Sequence, residues 1–95
     1  MSDLINAAVA ALTAKLSDGF DASAKFVIEG EGAIMIDADG VRAADDDADV
    51  TLTADAETFQ AILEGDLNPT AAFMGGKLSV DGDMGAAMRL GGVLG

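Results

Sequence analysis

The chain lacks four residue types on which much protein chemistry depends. Its 95 residues contain no cysteine, histidine, tryptophan or tyrosine. Without Cys and His there is no disulfide, thiolate nucleophile or imidazole base, and the usual zinc and iron ligand sets are missing. The carboxylates, amines and hydroxyls that remain support few reaction classes at neutral pH. We therefore expect a protein that is not an enzyme and that uses no metal or cofactor.

Basic residues are scarce as well. The chain has 17 Asp and Glu residues against five Lys and Arg residues, which gives a formal net charge of −12. Nucleic-acid binding is driven mainly by Lys and Arg that displace counterions, so this balance predicts no nucleic-acid partner. The same balance weakens attraction to an anionic membrane. Solubility or adaptation to high salt is the favoured explanation of the acidity.

No long hydrophobic run is present. A transmembrane helix needs about 20 apolar residues, and no segment of the sequence provides them. The N-terminal stretch MSDLINAAVAALTAKL has no basic region of the kind that begins a secretory signal. We expect a cytoplasmic protein without stable membrane insertion. Its length fits one domain over residues 1–95.

The acidic clusters suggest calcium at first sight, but their spacing argues against an EF-hand. If Asp37 is the first loop position, Gly40 falls at the fourth position instead of the sixth, and Ala48 stands where a bidentate Glu belongs. The cluster from Asp45 to Asp49 contains no apolar residue larger than alanine. These patterns predict a hairpin turn and a solvated acidic loop.

Hydrophobic periodicity and turn residues predict the order α, four β, two α, β, α. The first helix is expected to be capped by Ser2 or Asp3. The apolar residues of that helix recur at helical spacing, namely Ile5, Val9, Leu12 and Leu16. Five strands are predicted, at residues 25–29, 33–37, 41–44, 50–54 and 77–80. Four strands in succession predict a meander, and the helices would cover one face of it. The fold class is therefore α+β, with a five-stranded, mostly antiparallel sheet.

Capping residues predict where helices begin in the second half of the chain. Asp55 is expected to cap a helix over residues 56–64, and Asn68 with Pro69 is expected to open a short helix that stops at Gly75 and Gly76. The last helix includes two adjacent glycines at 91 and 92, which cost roughly 2 kcal/mol in helix propensity relative to alanine. We therefore expect this helix to be short or frayed.

Methionines are concentrated near these last elements. Met84 and Met88 lie one helical turn apart and share a face, and Met74 ends the short helix before them. Methionine fills irregular apolar space and adapts to variable ligands, which suits a lipid pocket. From the spacing alone, an ordinary hydrophobic core is the favoured interpretation.

Three segments together resemble one family. They are AAFMGGKLSVDGDMGAAMRL at residues 71–90, ADVTLT at 48–53 and TFQAILEG at 58–65. In these segments the chain resembles the sterol carrier protein type 2 domain family. The resemblance implies a five-stranded sheet covered by helices, with an apolar tunnel between them that takes fatty acids, acyl-CoA thioesters, sterols or related lipids.

The resemblance also implies a function and a set of contacts. It implies a non-enzymatic lipid carrier, monomeric or homodimeric, whose residues act by shape and apolarity. The alternative is a protein interaction module that uses the same cleft or a dimer face. The residues implied to face the tunnel are Phe73, Met74, Met84, Met88 and Leu90. Those implied to complete its wall or the adjoining core are Ile34, Ile36, Val50, Leu52, Phe59, Ile62 and Leu63.

Overall fold

The computed structural model describes the backbone of residues 3–16 and 19–94, and the side chains of these residues up to residue 92. The described residues form helices α1 (Asp3–Lys15), α2 (Ala56–Leu63), α3 (Pro69–Met74) and α4 (Met84–Leu94). They form strands β1 (Ala24–Glu29), β2 (Gly32–Asp37), β3 (Gly40–Ala43), β4 (Val50–Asp55) and β5 (Leu78–Gly82). The predicted order of elements is confirmed.

The five strands form one sheet in the order β3-β2-β1-β4-β5. Three of the four neighbouring pairs are antiparallel, and β1 with β4 is parallel. The predicted α+β class with a mostly antiparallel sheet is therefore confirmed. The predicted meander of four strands is wrong, because β4 pairs with β1 and not with β3. The short β3 has only partly buried or exposed residues and stays at the edge, whereas β4 buries Val50, Leu52 and Ala54 in the sheet interior.

Side chains in the β3–β4 connection fix this parallel pairing. The Asp49 carboxylate accepts the backbone N–H of Ser23 at 3.1 Å, and the Ser23 hydroxyl accepts the backbone N–H of Asp49 at 2.8 Å. This reciprocal pair holds the starts of β1 and β4 side by side. At the other end of the connection, Lys25 Nζ lies 2.9 Å from Asp45 Oδ1. The predicted acidic loop is therefore anchored to the sheet, although its aspartates are exposed.

The β2–β3 hairpin confirms the predicted turn. Asp37 accepts the backbone N–H of Asp39 at 3.0 Å, and its two carboxylate oxygens accept from the Arg42 guanidinium at 3.1 and 2.9 Å. The hydrogen bond from Arg42 lowers the pKa of Asp37 below its usual range. Within residues 3–16 and 19–94, no group of three or more acidic side chains is arranged to hold a metal ion.

The core lies between one face of the sheet and the helices. Phe26 of β1 and Phe59 of α2 meet there with ring centroids 4.8 Å apart. From α1 the core takes Ile5 and Leu12 as predicted, and it also takes Ala8. Val9 is only partly buried against it, so the buried stripe of α1 is turned slightly from the predicted one. The possible cap at Ser2 lies outside the described residues.

Both internal helix caps are confirmed. The Asp55 carboxylate accepts the backbone N–H of Thr58 at 2.7 Å, and this hydrogen bond lowers the pKa of Asp55. The Asn68 side chain accepts the N–H groups of Thr70 and Ala71 at 2.8 and 3.4 Å, and Pro69 follows as the first helical residue. Each cap satisfies backbone donors that the first helical turn leaves free.

The final helix is longer than expected. α4 continues through both glycines to Leu94, so the expectation of a short last helix is wrong. A Cβ atom at Gly91 would lie 3.7 Å from Cβ of Pro69. This is an ordinary van der Waals distance, so α4 packs against α3 here and a methyl group would also fit at Gly91.

Candidate functional site

An apolar cavity of about 270 Å³ lies between the β4–β5 half of the sheet and the helices α3 and α4. We call it the α3–α4 cavity. Its lining combines strand residues with residues of both helices. The lining residues are Leu52, Pro69, Thr70, Phe73, Met74, Leu78, Val80, Met84, Ala87, Met88 and Gly91.

The floor of the cavity is formed by the two strands. Leu52 of β4 pairs with Val80 of β5 in the antiparallel register, so both side chains project from the same face of the sheet. Leu78 stands two residues earlier on that face, and Leu52 and Leu78 are each 3% exposed. The inner end of the cavity is therefore closed by buried aliphatic side chains.

The walls come from the two helices. On α4 the lining residues are Met84, Ala87, Met88 and Gly91, which follow the three- and four-residue spacing of one helix face. The short helix α3 supplies the opposite wall, and its position depends on the cap at Asn68. Small residues on α4 alternate with methionines, so the wall leaves space where alanine and glycine stand.

The rim is apolar and open to solvent. The described residues leave four large hydrophobic side chains exposed, and all four line this cavity: Phe73, Met74, Met84 and Met88. Met74 is 81% exposed and Met88 is 76% exposed. Scattered apolar residues are normal on protein surfaces, but a contiguous apolar rim around a cavity marks a binding site. The methionine side chains are flexible enough to fit ligands of different shape.

Almost all of the described lining side chains are apolar. Thr70 supplies the only polar side chain among the described lining residues, and none of them is charged. No acid, base or nucleophile pair therefore faces the cavity, and a ligand would be held by shape and apolar contact. No helix within the described ranges is long and apolar enough to cross a membrane.

The structure places some of the residues assigned to the tunnel or the adjoining core in the cavity lining and the others in the core. Five of them line the α3–α4 cavity: Leu52, Phe73, Met74, Met84 and Met88. Six others are fully buried in the core and do not line the cavity, including Leu90, which was expected to face the tunnel: Ile34, Ile36, Val50, Phe59, Ile62 and Leu90. The last, Leu63, is partly buried against the core.

Six lining residues were not assigned from the sequence: Pro69, Thr70, Leu78, Val80, Ala87 and Gly91. A signal for two of them was present, because Ala87 and Gly91 stand three and seven residues after Met84, on the helix face that the methionines already define. Leu78 and Val80 alternate in the strand as ordinary core residues do, so the sequence did not distinguish a cavity floor from a core.

Nearly the whole chain matches a known family. The model of the SCP-2 sterol transfer family matches residues 4–95. Hydroxysteroid dehydrogenase-like protein 2 of Danio rerio is 51% identical over 43 residues, which are 45% of this chain and 10% of that protein. Sterol carrier protein 2 of Homo sapiens is 38% identical over 64 residues, which are 67% of this chain and 11% of that protein. The chain spans about one tenth of the length of these curated relatives.

A solved structure extends the similarity to the fold. The solution structure of palmitated SCP2L2 from Aedes aegypti matches with a TM-score of 0.69 and 25% sequence identity, and the match covers 99% of this chain and 95% of that one. The resemblance expected from the three sequence segments is confirmed. Because the family model matches nearly every residue, the chain belongs to the SCP-2 sterol transfer family.

Proposed function

We propose that residues 1–95 act as one non-enzymatic lipid-carrier domain, which holds the apolar part of a lipid in the α3–α4 cavity. The ligand classes are those of the family expectation: a fatty acyl chain, an acyl-CoA or a sterol-like lipid. The observation that carries the proposal is the coincidence of the four exposed large apolar side chains with the rim of an apolar cavity. The similarity to palmitated SCP2L2 supports an apolar chain as the buried part of the ligand.

The volume of the cavity determines how long a lipid chain it can bury. An apolar cavity of about 150 Å³ accepts the six carbons of benzene, which corresponds to about 25 Å³ per carbon. At that density, a cavity of about 270 Å³ accepts a chain of about ten or eleven carbons. Each methylene removed from water contributes about 0.8 kcal/mol, from which the costs of association and ordering are subtracted. Ten methylenes give about 8 kcal/mol before these costs, so the chain length that fits sets an upper limit on the affinity.

Native mass spectrometry after gentle purification tests this function. We expect a mass increment that matches one lipid per chain, and the same spectrum reports the monomer or dimer. Fluorescent fatty-acid and alkyl probes should bind to the delipidated protein. A protein that is empty as purified and binds none of these probes would contradict the carrier function and favour the interaction module instead.

A further inference from the structure

We propose that the α3–α4 cavity selects uncharged lipids, such as a long-chain alcohol, an ester or a sterol-like alcohol, over anionic lipids such as fatty acids and acyl-CoA thioesters. The proposal rests on the proposed lipid-binding function and narrows its ligand class. It depends on where the charged side chains of this chain lie relative to the cavity.

Among its described residues, the rim offers a ligand one hydroxyl and no cation. The inner end of the cavity is closed by Leu52 and Leu78, so the polar end of a lipid faces the open side, where Met74 and Met88 are exposed. Thr70 is exposed and lines the cavity, so its hydroxyl can donate to or accept from an alcohol or ester oxygen. No lining residue supplies the cation that would balance a carboxylate or phosphate.

The basic side chains do not line the cavity, and most are paired with carboxylates. Three of the five form ion pairs: Lys25 with Asp45, Arg42 with Asp37 and Arg89 with Asp21. Arg89 is the basic residue of α4, and its Nε lies 3.2 Å from Asp21 Oδ1. Its charge is therefore already paired beside the helix that forms the cavity wall.

The two other basic residues do not reach the cavity lining. Lys77 lines a separate, charged depression together with Asp55 and Glu57, and its charge contributes to the lowered pKa of Asp55. Lys15 lies in the last turn of α1. An anionic headgroup at the rim would therefore meet no free cation among the described lining residues.

The negative charge of the rest of the protein also disfavours the binding of an anion. The chain carries a formal charge of −12, and Asp83 places an exposed carboxylate next to Met84, where it caps α4 by accepting the N–H of Ala86 at 3.2 Å. Repulsion among solvent-exposed charges is modest and is screened by salt. The carboxylates are in large excess, so we expect their summed repulsion to weaken the binding of an anion about five- to tenfold at low ionic strength.

A pair of probes with equal chain length isolates the headgroup. Calorimetric titration of the delipidated protein at neutral pH with 1-decanol and with decanoate compares the same apolar chain with and without a charge. We expect decanol to bind about five- to tenfold more tightly at low ionic strength. The ratio should approach one in about 1 M NaCl, where the Debye length falls to about 3 Å.

The outcomes separate the two proposals. If decanoate binds as tightly as decanol at low salt, or more tightly, the charge selection is wrong while the lipid-binding function stands. If neither probe binds, the lipid-binding function itself fails and the selection fails with it. A preference for decanol that does not change with salt would also contradict the electrostatic origin.

A charge placed at the rim provides a second test. Thr70→Lys should bind decanoate severalfold more tightly than Thr70→Gln does, because it supplies the missing cation beside the polar end of the ligand, and the two variants should bind decanol about equally. Thr70→Gln is the matched control, since it lengthens the side chain without a charge. Equal affinities of the two variants for decanoate would overturn the placement of the headgroup at Thr70.

Discussion

The sharpest test of the α3–α4 cavity is to fill it. Ala87 lies on α4, is 8% exposed and lines the cavity. The substitution Ala87→Phe adds six carbons, which occupy about 150 Å³ at the density of an apolar ligand in a cavity. More than half of the cavity volume of about 270 Å³ would be lost.

The effect on affinity follows from the lost contact with the ligand. A lipid chain excluded from the volume of six carbons loses the burial of about six methylenes, or about 5 kcal/mol at most. This upper limit corresponds to a loss of about three to four orders of magnitude in affinity for a ten-carbon alcohol. Alcohols of about five carbons should be affected least, so the optimal chain length should shorten. The free energy of unfolding should stay within about 1 kcal/mol of the wild-type value, because the new ring fills apolar space without overpacking.

Displacement of a fluorescent alkyl probe by alcohols of increasing length measures both effects. Ala10→Phe is the matched control, because Ala10 is exposed on α1 and does not line the cavity. It should bind decanol like the wild type. If Ala87→Phe folds and keeps both the wild-type affinity and the wild-type chain-length optimum, the ligand binds elsewhere.

Other perturbations separate the rim, the core and the caps. Met88→Asp should weaken probe binding at least tenfold by placing a charge on the apolar rim, whereas Asp46→Asn in the acidic loop should change it little; equal effects in a probe titration would refute the assignment. Ile62→Val should lower the free energy of unfolding in urea by about 1 kcal/mol and leave the probe affinity unchanged, and a large loss of affinity would place this side chain at the ligand. Asp55→Ala removes a carboxylate whose pKa is lowered from 3.8 by the hydrogen bond from the Thr58 backbone N–H. A carboxylate whose pKa is lowered in the folded state stabilises the fold at pH values above its unfolded-state pKa. The difference in free energy of unfolding between the wild type and Asp55→Ala should therefore be constant above about pH 5 and should shrink as the pH falls through the lowered pKa. A difference that does not depend on pH would contradict this.

Local structure was predictable wherever the sequence contained a short-range signal. The caps at Asp55 and Asn68 were read from residue type and position, and the structure has both hydrogen-bonded as expected. The strand positions were also found, because alternation and glycine turns are local. What the sequence did not reveal was the partner of β4, since pairing with β1 depends on contacts between residues far apart, such as Ser23 with Asp49.

The site was predictable only in part, for a similar reason. A buried leucine in the core and a leucine on a cavity floor follow the same apolar pattern, so Val50 and Leu52 could not be separated before their packing was known. The rim residues were easier to predict, because two methionines one turn apart lie on the same face of a helix. The glycines at 91 and 92 were expected to shorten the last helix, but α4 packs against Pro69 at Gly91, and this contact depends on a neighbouring helix that the local sequence does not identify.

The central claim is that the α3–α4 cavity binds lipid, and the methionine methyl groups report on it directly. Met74, Met84 and Met88 surround the cavity, whereas Met35 is buried on the opposite face of the sheet, between Lys25 and Arg42 in the strand register. NMR of protein labelled with carbon-13 in the methionine methyls, titrated with decanol, should show saturable shifts of the three cavity methyls and none at Met35. Shifts of equal size at Met35, or none at the cavity methyls while decanol binds, would contradict the account.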